Sequence, residues 1–152
     1  LIEQLRALLD ETGFPAHLLE LEITESAIMA QGGQAAEVLA ALKRLGVGLA
    51  IDDFGTGYSS LAYLKRFAVD KLKIDRSFIR DIPDDVSDSE IAATIIAMAK
   101  NLKLKVLAEG VETEEQLAFL QIHDCDAWQG YHFSRPLAAE EFLALWRELL
   151  EP

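Results

Sequence analysis

Residues 49–61 read Leu49-Ala50-Ile51-Asp52-Asp53-Phe54-Gly55-Thr56-Gly57-Tyr58-Ser59-Ser60-Leu61. The stretch opens as a short apolar strand and ends in two adjacent carboxylates, a loop punctuated by glycines and a helix start. Neighbouring carboxylates repel, and burial raises their pKa values unless a cation sits between them. A hard divalent cation with oxygen ligands is the usual answer. Gly55 and Gly57 allow loop angles that other residues resist. Ser59 or Ser60 is suited to capping the helix that carries Leu61 and Leu64. The same residues also suit a plain strand-to-helix turn, so the rest of the chain has to decide.

Working outward, strands and helices alternate. Leu1 to Thr12 places Leu1, Leu5, Leu8 and Leu9 on one helical face, and Gly13 ends it. Leu18 to Thr24 alternates strictly, with Glu20, Glu22 and Thr24 on one face of a strand. Gln34 to Leu45 is a helix closed by Gly46, and Val47 to Asp52 is the second strand. A short helix over Ser60 to Phe67 leads to a third strand, Asp70 to Asp75, with Lys71, Lys73 and Asp75 on one face. Ser87 with Glu90 has the form of a capping box opening a helix through Leu102. Lys105 to Glu109 is the fourth strand. Thr113 with Gln116 is a second capping box, opening Glu114 to Ile122. Asp126 to Gln129 and Glu140 to Leu150 complete the pattern as a strand and a helix.

This order predicts an α/β fold with a parallel sheet. An open doubly wound sheet, covered by helices on both faces, calls for continuous apolar strands. Here several strands carry charge on one face, which burial would penalise. The charges sit late in their strands, where a (β/α)8 barrel places its active site. We therefore expect a TIM-type barrel. A complete one takes about 250 residues, so 152 residues correspond to its second half or a little more, with the N-terminal strands missing. The start at Leu1 instead of Met agrees with a piece of a longer protein.

Composition narrows the function. Hydrophobic residues make up 51% of the chain, enough for one core, and the net charge is −12 from 14 basic and 26 acidic side chains. That balance argues against a surface for polymeric nucleic acid. It also means that an anionic substrate needs metal ions or local Lys and Arg. The lone Cys125 permits no internal disulfide and reads as a small core residue. His17, His123 and His132 lack metal-ligand spacing. No run is long and apolar enough to span a membrane, and no signal peptide is evident.

Gathered at one barrel mouth, Glu22, Asp52, Asp53 and Glu109 form an acidic cluster with Lys73 among them. Taken singly, Glu22 and Lys73 also read as solvated strand charges, and Glu109 as part of a turn before Gly110. Together they suit metal-assisted hydrolysis, in which metal ions polarise a phosphoryl oxygen and acidify a bound water. Lys73 is placed to position that water or to neutralise charge on the transition state.

Five segments carry a resemblance: Leu-Glu-Ile-Thr-Glu-Ser (21–26), Ile-Asp-Asp-Phe-Gly-Thr-Gly-Tyr-Ser-Ser-Leu (51–61), Lys-Leu-Lys-Ile-Asp (71–75), Ala-Glu-Gly-Val-Glu-Thr (108–113) and Gln-Gly-Tyr-His-Phe-Ser-Arg-Pro (129–136). In that order they resemble the EAL domain family of cyclic di-GMP phosphodiesterases. The resemblance implies a (β/α)8-type barrel, usually with one antiparallel strand, and makes residues 1–152 the C-terminal portion of a single such domain. It implies a hydrolase of bacterial signal transduction that opens the second messenger cyclic di-GMP to linear pGpG. Two metal ions, Mg²⁺ or Mn²⁺, belong to the complete site. Glu22 and Asp52 would ligate one metal, with Asp52 shared by a second that Asp53 also holds. Glu109 would act as ligand or general base, and Lys73 would hold the nucleophilic water. Glu25 would anchor the loop containing Phe54, Gly55, Thr56 and Gly57, which in the family couples substrate and metal binding to dimerisation, so the complete domain is expected as a homodimer. Glu112, Gln129 and Arg135 would support the site or the substrate. The expected setting is cytoplasmic, within a larger sensor protein.

The sequence departs from the family in one respect. The Glu-Ala-Leu tripeptide that names the family is absent, and so is an asparagine ligand expected before the Glu22 strand. Both would lie upstream of Leu1, and the isolated chain is expected to be inactive. The alternative is a receptor or protein-interaction module that binds cyclic di-GMP without cleaving it. Such receptors typically lose Asp-Asp, the lysine or the loop motif, and all three are present. A barrel aldolase using Lys73 as a Schiff base fits poorly, because surrounding carboxylates keep that lysine protonated.

Overall fold

The computed structural model describes residues 1–31, 33–57 and 64–150. Five strands lie side by side in chain order: β1 (Glu20–Thr24), β2 (Gly48–Phe54), β3 (Lys71–Ile74), β4 (Lys105–Glu109) and β5 (Ala127–Gln129). Every neighbouring pair is parallel. A doubly wound sheet would reverse its strand order at a switch point. This one does not, and its sequential order is that of part of a (β/α)8 barrel. No antiparallel strand occurs among the described residues.

The helices are α1 (Ile2–Thr12), α2 (Glu25–Ala30), α3 (Gly33–Lys43), α4 (Val86–Asn101), α5 (Glu114–Ile122) and α6 (Ala139–Leu150). The core lies between the sheet and these helices. Leu49, Ile51, Leu72, Ile74, Val106 and Ala108 meet Leu39, Leu42, Ile95, Ile96 and Leu120 there. Alternation sends the other strand positions to the opposite face. That face carries Glu20 and Glu22, Ala50 and Asp52, Lys71 and Lys73, Leu107 and Glu109, and Gln129. The charges expected at the barrel mouth are therefore on one side of one sheet.

Several expected boundaries move by a residue or two, and two of the shifts have a clear cause. The N-cap of α4 is Asp85, whose Oδ1 accepts the Asp88 N–H at 2.9 Å, so the capping box expected at Ser87 does not open this helix. Strand β2 runs two residues further than expected, through Phe54. The helix start expected at Ser59 and Ser60, and the first half of the short helix to Phe67, lie outside the described residues. The box at Thr113 is present as read: Thr113 Oγ1 accepts the Gln116 N–H, and the Gln116 side chain accepts the Thr113 N–H.

The extra length of β2 has a physical cause. Ala50 and Ile51 pair with Lys71 and Leu72, but the next pair is Phe54 with Ile74. Three residues of β2 thus span two of β3, which is a β-bulge with one surplus residue. Asp53 has a left-handed φ of 54°, a conformation that Asp tolerates better than most residues. The bulge shifts the alternation by one. Phe54 rejoins Leu49 and Ile51 in the core, at 4% exposure. Phe54, expected as part of the loop that Glu25 anchors, is thus a core residue at the end of β2, from which that loop starts.

Candidate metal and phosphodiester site

Lys73 stands at the centre of the polar face. Its Nζ lies 2.7 Å from Glu22 Oε2, 2.9 Å from Asp52 Oδ1 and 2.8 Å from Glu109 Oε1. The three partners come from the middle of β1 and the C-terminal halves of β2 and β4. The lysine is only 4% exposed. Burial pushes its pKa down, but hydrogen bonds from its ammonium to Glu109, Glu22 and Asp52 outweigh burial and hold the pKa above the ordinary lysine value. It is a fixed cation, which removes the aldolase reading, since a Schiff base needs the neutral amine.

The bulge explains how two sequence neighbours serve one centre. Adjacent residues of a regular strand face opposite ways. With Asp53 in the left-handed region, carboxylate oxygens of Asp52, Asp53 and Glu109 all lie within 4.8 Å of one another. Asp52 Oδ1 is buried, and among the described residues the Lys73 ammonium at 2.9 Å is its one polar partner. Hard oxygen donors at this spacing, one of them short of partners, fit a divalent cation such as Mg²⁺ or Mn²⁺.

The supporting residues divide by position. Gln129 Nε2 donates to Glu109 Oε1 at 2.8 Å, so Glu109 is held between an amide and the lysine. Glu25 Oε2 accepts the Gly55 N–H at 2.9 Å, across 30 residues of chain. Glu25 Oε1 points at Gly57, where a Cβ would come within 2.7 Å of it. Glu25 thus contacts the loop at both glycines, and at 2% exposure it is also part of the interior. Thr56 braces the turn, its hydroxyl donating to Asp53 O at 2.8 Å. Glu112 and Arg135 do not touch the acidic cluster. Both line a groove of roughly 770 Å³ that runs from Asp53 and Glu109 past Asp75 and Arg76. Arg135 packs over the Tyr131 ring, 4.7 Å from its centroid. Asp75, Arg76 and Tyr131 were not singled out in the sequence. Asp75 offered a signal, standing two residues after Lys73 on the same strand face.

A partial parallel barrel whose strand ends carry a caged lysine among clustered carboxylates defines an α/β domain with a polar, metal-suited mouth. A family model described as EAL domain matches residues 1–136, and the chain belongs to that family. It is 57% identical over 150 residues to the cyclic di-GMP phosphodiesterase NbdA of Pseudomonas aeruginosa, covering 97% of this chain and 19% of that protein. It is 47% identical over 145 residues to MucR of the same organism, a bifunctional diguanylate cyclase/cyclic di-GMP phosphodiesterase, covering 95% and 21%. The chain therefore spans about a fifth of the length of these curated relatives. Among solved structures, a complex of the MucR phosphodiesterase with c-di-GMP superposes with a TM-score of 0.89 at 43% identity, over 93% of this chain and 57% of that one. Klebsiella pneumoniae BlrP1, solved with manganese and cyclic di-GMP, gives 0.81 at 38% identity, over 89% and 34%.

Proposed function

We propose that this chain is the catalytic-site portion of a metal-dependent phosphodiesterase that hydrolyses cyclic di-GMP to linear pGpG. The observation that carries the reading is the cage of Glu22, Asp52 and Glu109 around Lys73, with Asp53 turned toward it by the bulge. Four carboxylates against one ammonium leave the mouth strongly negative, and a phosphodiester is itself an anion. Such a substrate is held there only if further positive charge is supplied. Divalent ions, Mg²⁺ or Mn²⁺, meet that need and also acidify bound water and polarise phosphoryl oxygen. Glu22, Asp52, Asp53 and Glu109 would hold them.

The protein's own contribution is positioning. Lys73 fixes three carboxylates and presents a permanent positive charge to the attacking oxygen and the phosphoryl group. Glu109, steadied by Gln129, is the candidate base that takes the water proton. A P–O bond to water forms, the ring P–O3′ bond breaks, and the 3′-oxygen leaves with a proton. Glu25, Thr56 and Gly57 hold the loop after Asp53, while Glu112 and Arg135 flank the groove for the rest of the ligand. By this reading residues 1–152 form part of one domain.

Asp52→Asn in the protein that carries this domain tests the reading. It removes the Asp52 charge while keeping the shape. Cyclic di-GMP hydrolysis, followed by chromatography of pGpG, should fall by more than the roughly 10–100-fold that changes around metal ligands cost. Normal turnover under saturating Mg²⁺ would refute the assignment.

A further inference from the structure

We infer that Gln116 is a positioning residue that ties together two neighbouring loops that line the groove, those after β3 and β4. Its place in the capping box of α5 accounts for only part of what its side chain does. Gln116 is 3% exposed. Its Oε1 accepts two backbone N–H groups, from Glu112 at 2.7 Å and Thr113 at 3.1 Å. The Thr113 bond completes the box. The Glu112 bond reaches back into the loop after β4. Its Nε2 then donates to the carbonyl of Arg80 at 2.9 Å, in the connection after β3. A helix cap needs no such donor.

Both ends of this tie lead to the groove. Arg80 closes a rigid turn that begins at Asp75: Asp75 Oδ1 accepts the Ser77 N–H, and Arg76 O accepts the N–H groups of Ile79 and Arg80. Glu112 lies three residues beyond Glu109. The two loops touch again nearer the mouth, where Gly110 has φ +74° and a Cβ on it would lie 2.7 Å from Arg76 Cβ. Gln116 holds the loops together below that contact. With the tie cut, Asp75 and Arg76 are free to shift relative to Glu109 and Glu112. A displacement of about 1 Å of groups that position a ligand is enough to cost orders of magnitude.

Substitution separates tie from cap. Gln116→Glu keeps an acceptor for Glu112 and Thr113, and Glu serves a capping box as well as Gln does. It replaces the donor to Arg80 O by an oxygen, so two acceptors face each other. Thr113→Ala does the reverse, weakening the cap and leaving the tie. Amide hydrogen exchange on the intact protein reads the tie whatever the activity. Exchange should quicken about tenfold or more at Ile82 and Asp85 in Gln116→Glu, while Glu112 and Thr113, whose acceptor is kept, should change less. In Thr113→Ala the faster exchange should stay at the start of α5. The effect on turnover rests on the phosphodiesterase reading: Gln116→Glu should raise KM for cyclic di-GMP about tenfold with kcat changed less, and Thr113→Ala should leave KM unchanged. If wild-type protein does not cleave cyclic di-GMP, the reading of function fails and the exchange result still decides the tie. Exchange in Gln116→Glu that matches wild type at Ile82 and Asp85 would reduce Gln116 to a helix cap.

Discussion

Glu25 shows how one side chain can serve a loop and the interior at once. The motif around it suggests a surface anchor whose loss would spare the fold. Its burial says otherwise, because the carboxylate is enclosed and its bond from the Gly55 N–H is partly buried. A buried donor left unpaired costs about 1–3 kcal/mol. Glu25→Ala is therefore expected to lower urea-unfolding stability by that amount as well as to slow turnover, whereas Glu25→Gln, which keeps an acceptor, should retain most of the stability. An Ala variant as stable as wild type would show that water replaces the carboxylate. Lys73 carries a similar lesson. Alternation puts it on the face of Lys71 and the barrel reading puts it among carboxylates, but only the fold reveals that it is buried there, in contact with three of them.

At the level of elements, the strands were legible because charge and apolar residues alternate, and α5 because Thr113 and Gln116 have the spacing of a cap. What was not legible is how strand starts are locked. Asp70, just before β3, accepts the Leu49 N–H of β2 and pairs with Lys43. Asp126, just before β5, accepts the Val106 N–H of β4 and pairs with Lys105. Each aspartate reads as an ordinary strand-end residue, since its partner lies about 20 residues away in sequence. The bulge at Asp53 was hidden for a similar reason, because register with β3 is not local. Burial raises the Asp126 carboxyl, but hydrogen bonds from Lys105 and the Val106 N–H outweigh it and hold the pKa below the ordinary carboxylate range. A lowered folded pKa adds stability that is complete above the unfolded value of about 3.9 and is lost as pH falls through the lower folded one. Asp126→Ala should thus cost about 1–2 kcal/mol near neutral pH, with Lys105 adding little because it is exposed. The part of that gap that comes from charge should shrink as pH drops below 3.9. Urea titrations at several pH values measure it, and a gap independent of pH would rule out the charged pairing.

For the molecule as a whole, the governing features are an open sheet and a charge of −12. Strands β1 and β5 each pair on one side only among the described residues, and unpaired edges recruit other strands. Ala50 is nevertheless fully buried while Leu107 is partly covered, so the polar face is better filled than an open half-barrel suggests. By itself the chain is expected to self-associate with rising concentration, more strongly when salt screens its negative charge. Sedimentation at low and high salt tests this, and a monomer under every condition would show that the edges are protected. Strand β2 holds a different kind of surplus. Without Asp53, the chain would pass from Asp52 to Phe54 in plain alternation, with Leu49, Ile51 and Phe54 still facing the core. Asp53 is an insertion that the strand pairing does not need. A protein with Asp53 deleted should melt no lower than wild type while losing Mn²⁺ affinity, so at this position folding and chemistry can be edited independently.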